Sequence, residues 1–246
     1  MKPALRRLYP SPTEPATIAE AYAVERPRPA RRPWIGVCMV TSLDGSVSVE
    51  GTSGGLGNPN DLDVLSTLRR ISDMVLVGAG TARTEGYGPP KSPGKRIGVV
   101  TNSGHLDLTT TLFTSGAGFL IAPESAAIDE SRVEVLRAGT DAVDLGAAVG
   151  RLTEVMPSVQ YVQAEGGPRL NGALLADDLI DELDLTISPS SRTVAAGATA
   201  SYTVALEALG GPFNDAIELT CTGNPAGTTC TVLEAELTPL DGTATT

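Results

Sequence analysis

Histidine is almost missing from this chain of 246 residues; His105 is the only one. That scarcity removes Ser-His nucleophilic pairs and His-rich metal sites from consideration. Cysteine is nearly as rare. Cys38, Cys221 and Cys230 are too few for a disulfide scaffold or a four-cysteine zinc site, so no metal is expected. Basic residues number 18 against 29 acidic ones, a net charge of −11, which lacks the basic footprint of a general nucleic-acid binder. No stretch approaches the roughly 20 apolar residues of a membrane-spanning helix. The opening MKPALRRLYPSPTEP is positive but has no apolar h-region, so it does not read as a secretory signal, and a soluble cytoplasmic protein is expected. Apolar residues at 41% and charged residues at 19% are enough for a core and exclude a wholly solvated polymer.

Three stretches differ in composition. Residues 1–33 carry seven of the 18 prolines, seven basic residues and three acidic ones. They read as an extended, solvated leader with a local charge of +4, or as an arm that docks on a negative partner. From Trp34 apolar runs alternate with helical patterns. WIGVCMV (34–40), DMVLVG (73–78), RIGVVT (96–101), GFLIA (118–122) and VQYVQA (159–164) read as strands buried on both faces, with a further strand inside ELDLTIS (182–188). A helix over NPNDLDVLSTLRRI has Asn58 as cap, Pro59 in its first turn and Leu62, Leu65, Leu68 and Ile71 at helical spacing. A second helix is expected around Glu130–Ala138 and a third over PRLNGALLADD. This order predicts an α/β domain over 34–188, a mostly parallel sheet flanked by helices. Residues 189–246 hold 12 threonines and a single basic residue, Arg192, in alternating apolar and polar segments. That pattern predicts a partial β-sandwich.

Three turns are candidates for chemistry. In VLVGAGTARTEGYGP a strand runs into Gly78-Ala79-Gly80-Thr81, where glycines allow close approach of a phosphate and a helix start offers N–H groups. A plain strand–helix turn fits the glycine pair equally well, and Arg83 and Glu85 read equally as surface charges. The turn Glu165-Gly166-Gly167-Pro168-Arg169-Leu170-Asn171-Gly172 repeats the arrangement and puts Glu165 at the carboxyl end of a strand, where open α/β sheets bind ligands. Thr41-Ser42-Leu43-Asp44-Gly45 closes the first strand, either as a simple Asp-Gly turn or as hydroxyls and a carboxylate facing a polar ligand.

Taken together, MVTSLDGSVSVEGTSGGLGNPND, LRRISDMVLVGAGTARTEGYGP and AEGGPRLNGALLADDLIDELDLTISP resemble the pyrimidine reductases of riboflavin biosynthesis, which have a dihydrofolate-reductase-like fold. The likeness covers about residues 34–189. It implies NADPH-dependent reduction of the ribosyl group of 5-amino-6-(5-phosphoribosylamino)uracil to ribityl, a hydride passing to C1 of the open-chain imine. It also implies a small-molecule substrate and a homodimer. Position by position, Val40, Gly55, Gly78, Gly80, Thr81, Glu85 and the run Gly166, Gly167, Pro168, Arg169, Leu170, Asn171, Gly172 and Ala173 match cofactor-binding places. Ser53, Arg69 and Glu165 match substrate-contacting places, and Glu165 and Asp44 are the catalytic candidates.

The chain departs from this pattern in two places. Cys38 stands where many members have Lys, six residues before Asp44, which leaves room for a pterin or dihydrofolate-type substrate. After Pro189 the tail instead resembles a bacterial immunoglobulin-like repeat, so an inactive chimeric binding or structural protein is the rival of another class. In the tail Cys221 and Cys230 flank the turn GNPAG, and two free thiols able to bridge on oxidation are expected there.

Overall fold

A computed structural model describes residues 5–7, 13–42 and 46–188, together with four two-residue strands farther along. The chain divides into two compact units, Met1–Ser188 and Pro189–Thr246. The first unit begins with β1 (Leu5–Arg7), β2 (Thr13–Ala16) and α1 (Ile18–Ala21). It continues through β3 (Trp34–Ser42), α2 (Pro59–Ile71), β4 (Met74–Gly78), α3 (Ala79–Thr84), β5 (Arg96–Val100), α4 (Thr111–Thr114) and β6 (Gly118–Ala122). It ends with β7 (Val135–Arg137), α5 (Leu145–Gly150), α6 (Leu152–Val155), β8 (Tyr161–Gly166), α7 (Pro168–Ala176) and β9 (Glu182–Ser188).

Strands β3 to β9 form one sheet in the order β7-β6-β5-β4-β8-β3-β9, and every neighbouring pair is parallel. Both faces are covered, as continuous apolar strands require. On one face Ile35, Val37, Met74, Leu76, Phe119 and Ile121 pack against Leu145, Leu152, Leu170 and Leu174. On the other Val75, Val77, Ile97, Val99 and Leu120 pack against Ala82, Leu112 and Phe113. This is the expected dihydrofolate-reductase-like α/β architecture.

The chain leaves β4 for β5 on one side, whereas β8 lies on the other side of β4 and its helix leads past β3 to β9. A crevice therefore opens between the carboxyl ends of β4 and β8, where the connections diverge. Helix α2 begins as expected, the Asn58 side chain accepting from the amides of Asn60 and Asp61. Its apolar positions divide, however: Leu68 is fully buried, while Leu62 is 59% exposed.

Two expectations are corrected here. The helix expected at Glu130–Ala138 is instead a turn and the edge strand β7. Asp129 accepts from the Ser131 amide and hydroxyl, which favours a turn, and Val133 and Val135 suit an extended chain that pairs with Leu120–Ala122. The leader is not solvated throughout. Thr17 and Glu20 form a capping box on α1. Arg26 makes two bonds of 2.6 Å to Glu182 and lies over the Tyr161 ring, and Arg32 holds Asp181 at 2.5 and 3.0 Å. The negative partners of the basic arm are the chain's own Asp181, just before β9, and Glu182, its first residue.

In the second unit β10 (Ala205–Leu206) pairs antiparallel with β13 (Ala244–Thr245), and β11 (Ile217–Glu218) with β12 (Glu236–Leu237). The immunoglobulin-like resemblance and the Cys221–Cys230 expectation lie outside the described residues.

Candidate active site

The crevice is the floor of a cleft of about 1370 Å³. Gly78 and Gly166 approach so closely that a Cβ on Gly78 would lie 3.0 Å from the Gly166 carbonyl oxygen. The Thr81 hydroxyl donates to that same oxygen at 3.0 Å and ties α3 to the end of β8. Gly167 has φ +82°, and a Cβ there would fall 2.3 Å from Thr81 Oγ1. The Glu165–Gly167 turn thus needs glycine for both conformation and space. Nothing lies within 4 Å of a Cβ placed on Gly80, so α3 opens freely onto the cleft.

Beside this turn, at Glu165 itself, stands a charged cluster. Glu165 Oε1 accepts from Arg69 Nε at 2.6 Å, and Oε2 accepts from Arg69 Nη2 at 2.5 Å and from the Tyr87 hydroxyl at 2.6 Å. The Glu165 side chain is 4% exposed and that of Arg69 45%. Burial, and then the Glu165 carboxylate, push the Tyr87 phenol upward, so it remains a neutral donor. Cys38 lies nearby on β3. Burial and the carboxylates of Asp184, Asp61 and Glu165 push its thiol up to about 12, and Arg69 opposes them. It is a protonated thiol at neutral pH, not a nucleophile.

Of the residues singled out by sequence, Val40, Ser53, Arg69, Gly78, Gly80, Thr81, Glu85 and Glu165 line this cleft, as do Gly166 to Asn171 and Ala173. The Ser53 amide donates to Glu85 Oε1 at 2.9 Å, which joins a substrate-side and a cofactor-side candidate. Gly55 packs against Val49 and Gly172 faces open space; neither lines the cleft. Asp44 lies outside the described residues. Among the described residues no group of three or more His, Cys, Asp or Glu side chains is placed to hold a metal ion, and no helix is long and apolar enough to cross a membrane.

Residues 33–192 match the RibD C-terminal domain. The chain belongs to this family. It is 29% identical to the 2,5-diamino-6-ribosylamino-4(3H)-pyrimidinone 5′-phosphate reductase of Methanothermobacter thermautotrophicus over 173 residues, 64% of this chain and 78% of that protein. The Archaeoglobus fulgidus protein of the same name is 27% identical over 179 residues, 64% of this chain and 81% of its own. Among solved structures, a pyrimidine reductase-like protein from Corynebacterium diphtheriae has a TM-score of 0.60 at 24% identity, covering 79% of this chain and 93% of that one. The riboflavin biosynthesis reductase of Saccharomyces cerevisiae has a TM-score of 0.53 at 22% identity, covering 75% and 89%. These structures share the fold.

Sequence reasoning missed three residues of this RibD-family cleft. Tyr87 sits within the quoted EGYGP string, yet only the fold brings its hydroxyl to Glu165. Lys95 donates to the carbonyls of Arg69 at 2.9 Å, Arg70 at 2.7 Å and Ser72, and so caps the end of α2 that carries Arg69. Asp61 lies on the same side of α2 two turns before Arg69; a polar residue at that spacing was the available signal.

Proposed function

We propose that residues 34–188 catalyse the reduction of a ribosylamino-pyrimidine 5′-phosphate of riboflavin biosynthesis to its ribityl form, with NADPH as cofactor. One observation carries the reading. A single cleft at the β4/β8 crevice joins two glycine turns suited to a dinucleotide with an adjoining polar cluster, Arg69–Glu165–Tyr87, suited to a sugar-bearing substrate.

The residues present fit the cofactor. Asn171 is buried, yet neither its carboxamide nitrogen nor its oxygen has a partner, an arrangement that costs stability unless a ligand supplies one. It stands in the first turn of α7 beside Gly167, where backbone N–H groups favour phosphate. Arg83 is held by a 3.0 Å bond to the His105 carbonyl and lines the cleft together with Asn102 and Ser103. A cation there suits the additional phosphate of NADPH.

When bound, the nicotinamide supplies a hydride to C1 of the open-chain imine, whose nitrogen takes up a proton. The chain's part is positioning. Thr81 fixes α3 against β8, Arg69 and Tyr87 hold the Glu165 carboxylate in one orientation, and Lys95 fixes the helix end that carries Arg69. The leader and the 189–246 segment are assigned no role in the chemistry. The homodimer that the resemblance implies and the cytoplasmic setting expected from the composition belong to the same reading.

The test is titration of the full chain with NADPH and NADH, followed by turnover of the ribosylamino-pyrimidine phosphate and of dihydrofolate. Tighter binding of NADPH and oxidation with the pyrimidine alone are expected. Equal millimolar binding of both cofactors, or turnover of dihydrofolate alone, overturns the reading.

A further inference from the structure

Asp61 is 8% exposed and lines the cleft. Its carboxylate has no hydrogen-bond partner among the described residues, although an ionised carboxylate offers about four acceptor sites and no donor. The carboxylate opens onto the cleft rather than being sealed in the protein, so a ligand that displaces water from it must bring its own N–H or O–H donors. The cations nearby are engaged: Arg69 makes its short bonds to Glu165, and Lys95 caps the end of α2. Gly57 leaves the carboxylate uncovered, since a Cβ there would sit 3.0 Å from Asp61 Oδ2. Asp61 and Arg69 are eight residues apart on one helix, a separation of about 12 Å along its axis. That span matches a ligand lying along α2, with one end at Arg69–Glu165 and the other at Asp61.

We propose that Asp61 selects the 2-amino-pyrimidinone form of the substrate over the uracil form by accepting the adjacent N–H groups of its 2-amino edge. The inference rests on the reductase reading above. The two forms differ at C2. A 2-amino-4(3H)-pyrimidinone presents the exocyclic N–H and the ring N3–H side by side, matching the two oxygens of one carboxylate. On the same edge uracil presents its N3–H flanked by the C2 and C4 carbonyl oxygens, so one carboxylate oxygen would face the lone pairs of a carbonyl. A site built to hydrogen-bond a group rejects the analogue that lacks it far more strongly than an apolar pocket does.

The experiment compares wild type, D61N and D61A as full chains. Turnover is measured with the two ribosylamino-pyrimidine phosphates, and calorimetric binding with 2,5,6-triamino-4(3H)-pyrimidinone and 5,6-diaminouracil. Wild type is expected to favour the 2-amino form at least tenfold in kcat/KM and in base affinity. D61N, whose amide donates to a C2 carbonyl, brings the ratio to one or inverts it, and NADPH affinity stays within twofold. D61A loses the preference without inverting it. A wild type with no preference, or folded variants that keep the wild-type ratio, overturns the proposal. If wild type binds the triamino base in an Asp61-dependent way but reduces neither phosphate, the selectivity stands and the reductase reading fails.

Discussion

Arg69 and Glu165, 96 residues apart in the chain, form a two-bonded ion pair, and among the described residues every proton donor to the carboxylate is a side chain of the cleft. Arg69 sits near the end of α2 and Glu165 at the end of β8, so the pair joins the helix to the carboxyl edge of the sheet. The hydrogen bonds that Arg69 donates to Glu165 are the largest influence raising its guanidinium above the ordinary arginine value, and burial acts the other way.

The first prediction follows from the unequal burial of the two partners. Arg69→Met leaves a carboxylate that is 4% exposed with Tyr87 as its one donor among the described residues, and should cost about 2–4 kcal/mol. Glu165→Gln removes the charge but keeps an acceptor, and should cost less. On activity the order is different. Glu165→Gln should lower kcat and kcat/KM together by at least about tenfold, with NADPH affinity within twofold, as loss of a contact made in the transition state requires. Chemical melts and steady-state kinetics on both variants check this. A fall in NADPH affinity with unchanged substrate kinetics would contradict the assignment of Glu165 to the substrate side.

A second prediction concerns Gly167. Its φ of +82° disfavours any L-residue, and the added methyl of Gly167→Ala would meet Thr81 Oγ1 at 2.3 Å. Relief requires Thr81 to turn away, which breaks its bond to the Gly166 carbonyl and loosens α3 from β8. The variant should lose about 1–3 kcal/mol of stability. It should also lose cofactor affinity more than substrate affinity, because the displaced turn is the one next to Asn171. Fluorescence titration with NADPH reads this directly; unchanged affinity in a destabilised protein would separate the turn from the cofactor.

The strands were legible because a parallel strand covered on both faces is an uninterrupted apolar run, as in Met74–Val77 and Gly118–Ala122. Strand β7 was not, since three residues at a sheet edge carry too little pattern and Arg137 breaks the apolar run. The glycine turns of the cleft were legible because glycine is needed where backbones approach. The docking of Arg26 on Glu182 was not, for nothing local connects residues 156 positions apart. Asp61 was hidden for another reason. An acidic residue in the first turn of a helix is ordinary dipole chemistry, and only its burial beside an open cleft marks it as more.

The last prediction is a pH dependence centred on Asp184. It stands opposite Cys38 in the β3/β9 register, with Glu182 on its own strand and Tyr22 and Arg26 facing it from the leader. Burial, then the charge of Glu182, raise its carboxyl from 3.8 to about 6, while a hydrogen bond from Tyr22 and the Arg26 charge act the other way. Its Oδ2 is buried without a hydrogen-bond partner, which fits a group that resists ionisation. Because the folded value lies above the unfolded one, the native state binds more protons between about pH 4 and pH 6. Stability from this group is therefore complete below pH 4 and is lost as pH rises through 6. A shift of that size is worth about 3 kcal/mol at full weight, and about 1–2 kcal/mol once solvent screening of a partly exposed group is allowed for. Asp184→Asn, which carries no charge at any pH, should melt higher than wild type at pH 7.5 by a few degrees. The gain should shrink through pH 6 and vanish near pH 4. Melting curves of both proteins from pH 4 to 7.5 isolate the contribution, since other titrating groups cancel in the difference. A difference that is flat across this range, or largest at pH 4, would show that Asp184 is ionised at little cost where it sits.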